Sequence, residues 1–354
     1  MPKGKKILKI TAIVLAAVLG LLILLLELPF LGADAAEDGG DYSRWMSETL
    51  QGPERLVDIA MLGAHDALST DIRRSSKVDA ASVAAPFQLE LCKSLGYRQS
   101  KTQMAGVPAL LAGGVRYFDI RVTRDPDTGE FYTVHNYYSA PLTAYLAEFT
   151  AFLADHPGEV LVLDFQHCYD AAEPDGILAA ARFEELYALL AQSGLLAYAQ
   201  APQLATATYG EVTGGGRRAA CLILTKYGGQ EALLDYDSSI YSPWYNTDSA
   251  ATVFAELDAR AAEAERGWPQ QDHFRVQQAV LTMQASPAGI VKALGSWSLL
   301  RRAQGFNAQL AEKENDAWLS AMPIVMTDHT LSAQNGAHAR LMETVLQYNK
   351  ALAS

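Results

Sequence analysis

Short apolar runs bounded by glycine, proline or polar residues recur along this chain, and their length suits buried strands better than helices. The run over residues 160–165 is apolar at five of its six positions. Strands without polar alternation are typical of parallel sheets that are covered on both faces. The pattern predicts strands over residues 56–62, 114–122, 130–136, 160–165, 221–226, 279–284 and 323–327.

Apolar residues at helical spacing lie between these strands. One such set precedes His156 and Pro157 and comprises Leu142, Tyr145, Leu146, Phe149 and Leu153. Further helices are predicted over residues 175–198, 307–319 and 337–349, and a short one near 87–95. Alternating strands and helices, with polar residues after the strands, predict an α/β fold of the TIM-type (β/α)8 barrel class or a distorted form of it.

A hydrophobic helix is predicted ahead of the barrel. Lysines at positions 3, 5, 6 and 9 precede an apolar run from Ile10 to Leu26, a pattern typical of a signal peptide or of a membrane anchor with its basic end in the cytoplasm. We therefore expect a signal anchor or signal peptide over residues 1–32, a linker over 33–44 and one barrel over 45–354. The expected location is the cell membrane, single-pass with the barrel outside the cytoplasm, or secretion after cleavage.

Composition excludes some classes of partner. The chain has 354 residues, 28 Lys and Arg against 40 Asp and Glu, and a formal net charge of −12. An acidic chain is not expected to bind nucleic acid, which requires a basic face. Three cysteines, Cys92, Cys168 and Cys221, lack the spacing of zinc ligands and are predicted to be buried free thiols.

Charged side chains follow or end three of the predicted strands. His65 and Asp66 follow the first strand, Asp119 and Arg121 lie on one face of the second, and His135 comes at the end of the third. Taken alone, His65 and Asp66 also fit a simple turn in which Asp66 caps the following segment. Charges that face a core are costly unless they are paired or lie in a site, so the set predicts a catalytic rim.

Seven short segments of the chain form a recognisable set of motifs. They are 45–47, 63–66 (GAHD), 114–122 (GVRYFDIRV), 134–135, 156–167 (HPGEVLVLDFQH), 243–247 (PWYNT) and 325–328 (VMTD). Together they resemble the X region of phosphatidylinositol-specific phospholipase C, and most closely its single-domain members. The resemblance extends from about Trp45 to about Asp328. It implies a barrel that cleaves phosphatidylinositol-type lipids to diacylglycerol and a cyclic inositol phosphate, with a phospholipid at a membrane surface as its substrate.

The resemblance also implies roles for individual residues. His65 would be the base that takes the proton of the inositol 2-hydroxyl, and His135 the acid for the leaving glycerol oxygen. A histidine near neutral pH serves in either role. Asp66 and Asp119 would tune and orient the histidines, and Asp328 would hold His65 in its reactive tautomer.

Arg121 indicates a site that works without a metal. Calcium-dependent members of the family carry a metal-binding acid at this position, whereas metal-independent bacterial members carry arginine. Asp66 and Gln166 stand where calcium-dependent members carry a ligand asparagine and a ligand glutamate. Because an arginine inverts the charge that a calcium site needs, neither a metal nor another cofactor is expected.

Four further residues are candidates for substrate binding, each with a structural alternative. Lys226 ends a strand and is placed to bind phosphate or an inositol hydroxyl, or to form a surface ion pair. Trp244 and Tyr245 are candidates for contact with the inositol ring or for packing within a loop, and Gln166 is the fourth candidate. Asn136 follows His135 where the family usually has glycine.

Two other functions remain open on the sequence. A metal-dependent glycerophosphodiester phosphodiesterase is also a barrel with paired histidines, but it needs acidic metal ligands where Arg121 lies. A catalytically silent, membrane-tethered inositide-binding protein would have no use for both His65 and His135. The presence of both histidines beside an arginine favours the phospholipase C interpretation over these two alternatives.

Overall fold

The chain folds around one curled sheet of parallel strands. A computed structural model describes residues 11, 13–18, 40–82, 86–91, 93–267, 271–284, 298–331 and 336–354. The strands are β1 (Met61–Ala64), β2 (Val115–Arg124), β3 (Phe131–His135), β4 (Tyr137–Pro141), β5 (Val160–Asp170), β6 (Ala220–Thr225), β7 (Leu234–Asp235), β8 (Ile240–Tyr241), β9 (Phe274–Ala279) and β10 (Ile324–Thr327).

Helices cover the sheet or contribute to its rim. They are α1 (Trp45–Thr49), α2 (Pro86–Leu91), α3 (Lys93–Ser100), α4 (Val107–Ala112), α5 (Leu142–Asp155), α6 (Ala180–Gln192), α7 (Tyr209–Thr213), α8 (Tyr236–Ser239), α9 (Ala250–Glu265), α10 (Leu299–Lys313), α11 (Asp316–Ala321) and α12 (Ala337–Leu352).

Eight parallel strands follow one another around the sheet in the order β7-β6-β5-β2-β1-β10-β9-β8. This is the sequential order of a TIM-type barrel, with the hydrogen-bonded path ending at β7 on one side and at β8 on the other. The one-turn helix α8 connects these two end strands. The predicted parallel α/β barrel is therefore confirmed in its order, but it is a curled half-barrel rather than a closed one.

An antiparallel hairpin lies beside the barrel path. β3 pairs antiparallel with the carboxyl half of β2, and β4 pairs antiparallel with β3. A tight turn joins β2 to β3, in which Gly129 N donates to the Asp125 carbonyl at 2.8 Å. The hairpin carries His135 away from the barrel wall and back towards the ends of the parallel strands.

Two predicted strands were misplaced. Residues 56–58 form a 3-10 turn, and β1 begins only at Met61. Leu56 and Val57 are buried in the core without being part of a strand, which explains their apolar character. The strand predicted at 279–284 is β9, which ends at Ala279. Its buried side chains Arg275 and Gln277 look polar in sequence, but they donate to the carbonyls of Ala321 (2.7 Å) and Met322 (2.8 Å).

The predicted single-pass membrane location is corrected. Among the residues that the structure describes, no helix combines the length and the apolar character that crossing a bilayer requires. Most of the predicted anchor, residues 1–32, lies outside the described residues. Cys168 and Cys221 are buried free thiols as predicted, and Cys92 also lies outside the described residues.

Candidate active site

His65 and Asp328 meet at the carboxyl ends of two neighbouring strands. β1 and β10 are paired in register up to Ala64 and Thr327, so His65 and Asp328 are the next residue on each strand. His65 N donates to the Thr327 carbonyl at 3.1 Å. The imidazole Nδ1 of His65 lies 2.7 Å from Asp328 Oδ1. The carboxylate therefore binds an Nδ1–H and turns Nε2 of His65 towards the rim.

Asp66, Asp119 and Arg121 form a charged cluster beside His65. Asp66 has a φ of +41°, a left-handed conformation that aspartate tolerates better than most residues. Asp66 N donates to Asp119 Oδ2 at 3.1 Å. Arg121 contacts both carboxylates, through Nε to Asp66 Oδ1 and through Nη2 to Asp119 Oδ2 at 3.3 Å. The guanidinium thus occupies the centre of the cluster.

His135 reaches the same cluster from the hairpin. Its Nδ1 donates to the Ser100 carbonyl at 2.7 Å, which directs Nε2 to Asp66 Oδ2 at 3.3 Å. Asn136 has a φ of +62°, which explains why glycine is usual at this position and why asparagine replaces it at little cost. The Asn136 amide donates to Ser100 Oγ at 2.9 Å, so the substitution keeps the turn.

The two histidines have opposite electrostatic environments. Burial alone would lower the pKa of His65, but the carboxylates of Asp66 and Asp328 outweigh it and raise the pKa to about 9. Burial lowers the pKa of His135, and the nearby charges of Arg121 and His65 add to this effect against the carboxylate of Asp66. Burial would raise the pKa of Asp66, but Arg121 and the histidines hold it at about 2. Asp66 is therefore a permanent anion between the two rings.

Two contacts compete for Nε2 of His65. Arg121 Nη2, a donor at 3.2 Å, requires an unprotonated Nε2. Asp66 Oδ2, an acceptor at 3.3 Å, requires a protonated one. The raised pKa makes the protonated form dominant at neutral pH, and the guanidinium stabilises the neutral form when it is populated. Both states of the imidazole therefore have a partner, as acid–base chemistry requires.

A buried pair of side chains lies beneath this cluster and was missed from sequence. The Tyr117 hydroxyl donates to Asp164 Oδ2 at 2.5 Å, and both residues are fully buried. Burial and the charge of Asp119 raise the pKa of Asp164 to about 7. Tyr117 lies two positions before Asp119 on β2 and therefore on the same face, but nothing in the sequence pointed to its partner on β5.

The predicted substrate-binding residues are more dispersed. Lys226 is exposed just beyond β6, with Nζ 5.0 Å from the centre of the Tyr236 ring. Gln166 N donates to Asp164 Oδ1 at 3.0 Å. Trp244 is exposed and donates through Nε1 to Thr282 Oγ1 at 2.9 Å. Tyr245 packs against the core, where burial raises its pKa. Among the described residues, no hydrogen bond, ion pair or ring contact joins these four side chains to His65 or His135.

Two further histidines lie near the cluster, one on β5 and one directly after Asp328. His167 stacks on Tyr169 with ring centres 6.0 Å apart, and burial and Arg121 lower its pKa to about 4. His329 is buried with a pKa also lowered by burial to about 4. Both are neutral at physiological pH.

The acidic residues of the cluster do not suit a divalent cation. Ligand atoms of His65, Asp66 and Asp119 lie within 4.8 Å of one another. However, Arg121 is paired with both carboxylates, so a metal would have to displace a permanent cation and remain beside it. A calcium site requires several oxygen ligands, and each of these two carboxylates already gives one oxygen to the guanidinium.

Curated relatives of the chain carry the family name that the motifs predicted. It is 28% identical to PI-PLC X domain-containing protein 2 of Homo sapiens over 237 residues, 64% of this chain and 72% of the relative. It is 37% identical to PI-PLC X domain-containing protein 3 of Homo sapiens over 128 residues, 32% of this chain and 38% of the relative. The resemblance inferred from the sequence is thus confirmed, although no family model matches the chain.

A solved structure shares the fold. The phosphatidylinositol-specific phospholipase C of Staphylococcus aureus superposes with a TM-score of 0.61 at 18% identity, covering 86% of this chain and 97% of the other. At that level of identity the likeness concerns the architecture alone.

Proposed function

We propose that the chain is a metal-independent phosphodiesterase that cleaves phosphatidylinositol-type lipids to diacylglycerol and a cyclic inositol phosphate. One observation carries the proposal: Nε2 of His65 and Nε2 of His135 both lie 3.3 Å from Asp66 Oδ2, and Arg121 contacts the same carboxylate. An acid, a base and a fixed cation on one rim are the groups that phosphodiester cleavage by an internal hydroxyl needs.

In this proposal His65 is the base. Its Nε2 takes the proton of the inositol 2-hydroxyl while that oxygen forms a bond to phosphorus. Asp328, bound to Nδ1 at 2.7 Å, stabilises the imidazolium that forms. The charge that develops on the phosphorane oxygens is stabilised by Arg121, whose planar guanidinium binds two oxygens at once.

His135 is the acid. As the bond from phosphorus to the glycerol oxygen breaks, Nε2 of His135 gives its proton to that oxygen. The leaving group is thereby released as diacylglycerol. Asp66 favours the charged form of His135 that this step requires. At neutral pH the pair holds one proton, which lies mainly on His65. The productive form, with His65 neutral and His135 charged, is therefore a minority form.

An apolar rim supports a substrate at a membrane surface. Phe87 and Leu91 of α2 are 73% and 71% exposed, and Trp244 is 59% exposed. These residues lie in the segments that follow β1 and β8, on the side of the barrel where His65 follows β1. Exposed apolar side chains of this size suit a surface that contacts another apolar phase. Lipid tails in a bilayer are such a phase.

The alternatives predict different behaviour. A metal-dependent glycerophosphodiester phosphodiesterase would need a divalent ion among Asp66, Asp119 and His65, where Arg121 now binds. A silent inositide-binding protein would bind inositol phospholipid without turnover. The histidine pair favours the enzyme over both.

The experiment measures turnover of His65→Ala and His135→Ala on phosphatidylinositol vesicles and on an inositol phosphate diester of p-nitrophenol. Both variants should lose at least about 100-fold on the lipid. Because p-nitrophenolate leaves without a proton, His135→Ala should recover most of its activity on the aryl ester, whereas His65→Ala should not.

Lys93→Ala, which removes a surface lysine paired with Glu90 at 3.1 Å, is the control and should match the wild type. Near wild-type turnover of lipid by either histidine variant would reject the acid–base pair. Recovery by His65→Ala instead of His135→Ala would reverse the two roles.

A further inference from the structure

A buried glutamine ties together the two strand ends that carry His65 and Asp328. Gln103 lies in the connection between α3 and α4 and is fully buried. Its Nε2 donates to the His65 carbonyl at 3.1 Å and to the Thr327 carbonyl at 3.0 Å. Its Oε1 accepts from Thr330 N at 3.1 Å. One amide thus binds the main chain on both sides of the histidine–carboxylate pair.

The connection that carries Gln103 is itself fixed. Ser69 Oγ accepts from Thr102 N at 3.0 Å and from Gln103 N at 3.1 Å. The Thr102 hydroxyl donates to the Asp66 carbonyl at 2.9 Å, and the Thr102 carbonyl accepts from His329 N at 2.6 Å. The segment therefore spans from the loop after β1 to the loop after β10.

The loop that holds Asp328 needs such support. His329 has a φ of +47°, a conformation in which a side chain with a Cβ is strained. Asn307 of α10 binds the loop from the other side, with Nδ2 donating to the Asp328 carbonyl at 2.9 Å. Two buried side-chain amides, those of Gln103 and Asn307, thus form hydrogen bonds with the main chain around Asp328.

We propose that Gln103 is a positioning residue, which holds the His65 imidazole and the Asp328 carboxylate in contact by joining the ends of β1 and β10. Glutamine suits this place because its amide supplies two donors and one acceptor, and all three are used. Methionine has nearly the same length but binds neither carbonyl. In the Gln103→Met variant the two strand ends separate, and the Nδ1–Oδ1 contact of 2.7 Å lengthens.

This inference rests on the proposed function only in its kinetic readout. Gln103→Met should lower kcat on phosphatidylinositol about 10- to 100-fold with KM little changed, because a displacement near 1 Å in a catalytic group costs about that much. In an Asp328→Asn background the same substitution should lower kcat less than about threefold, because the contact between His65 and Asp328 that Gln103 supports is already lost. Gln99→Met, at an α3 residue that contacts Arg302, is the matched control and should change neither kcat nor KM.

The second readout needs no turnover. The His65 imidazole is titrated by NMR, with its resonance assigned by its loss in His65→Ala. The wild type should titrate near pH 9, and Gln103→Met should titrate lower because Asp328 no longer supports the imidazolium. Gln103→Asn, which is one methylene shorter, is a second variant for both readouts.

An unchanged His65 titration in a folded Gln103 variant would overturn the inference. So would an equal fold-loss in the wild-type and Asp328→Asn backgrounds. If the wild type does not cleave inositol phospholipid, the proposed function fails, while the titration still decides the role of Gln103.

Discussion

Arg121 is the residue on which the proposed metal-independent mechanism depends. Its guanidinium contacts Asp66 and Asp119 and lies 3.2 Å from His65 Nε2. The two carboxylates outweigh burial and raise the Arg121 pKa, so the charge is permanent. A metal ion would supply a similar charge, but it would need oxygen ligands that the guanidinium already engages. In the proposed function Arg121 supplies the charge that a metal ion would supply, and it contacts both neighbouring acids.

The histidine pair predicts a wide bell-shaped pH profile. The active form of the pair holds one proton. Activity therefore falls at low pH, where His135 also becomes protonated, and at high pH, where His65 loses its proton. The pKa of His135 lies below its usual value of 6.5, and that of His65 lies at about 9. We expect kcat/KM on phosphatidylinositol to rise with pH through the acid limb, and to fall only near pH 9. Rates measured from about pH 5 to about pH 10 test this. A basic limb near pH 7 would contradict the raised pKa of His65.

The charged residues of the rim were readable from the sequence, and their supports were not. His65, Asp66, Asp119, Arg121 and His135 were predicted from their places at strand ends, and Asp328 from the family resemblance. The structure brings all six together. Gln103 and Asn307 follow no periodic pattern and lie far along the chain from the groups they bind. A buried amide is identifiable only once the fold has closed around it.

The hairpin of β3 and β4 supplies the second histidine. It pairs with the carboxyl half of β2 outside the order of the eight parallel strands. Sequence predicted β3 and the turn before it, because both have strong local signals. It did not predict that this strand leaves the barrel path, since antiparallel pairing with β2 depends on contacts distant from the turn.

Gly63 allows β1 to fit between its neighbours. A Cβ at this position would lie 2.9 Å from the Tyr117 ring and 3.3 Å from the Met326 backbone. We expect Gly63→Ala to lower the free energy of unfolding by about 1–3 kcal/mol, because overpacking forces neighbouring strands apart. Denaturant unfolding followed by circular dichroism measures the change.

Gly305→Ala is the matched control for that experiment. Gly305 lies inside α10, and nothing is within 4 Å of its added Cβ. Alanine there should stabilise the protein by up to about 1 kcal/mol, because it favours the helix. Equal effects of the two substitutions would show that Gly63 has no special steric role.

The barrel as a whole was predictable from the sequence only in part. Six of the eight parallel strands could be predicted because most of them are continuous apolar runs separated by helices. The opening between β7 and β8 could not, because each of these strands has only two residues and leaves no pattern. β9 was misplaced because its inward polar side chains resemble a surface strand.

The most direct test of the account is cleavage of phosphatidylinositol vesicles in excess chelator, with the phosphate product identified by ³¹P NMR. Because Arg121 supplies the charge, turnover should persist without added metal, and a cyclic inositol phosphate should be the first product. Arg121→Lys should lose most of the activity, since an ammonium cannot bind two oxygens as the planar fork does. Turnover that chelator abolishes and calcium restores would contradict the central role given to Arg121.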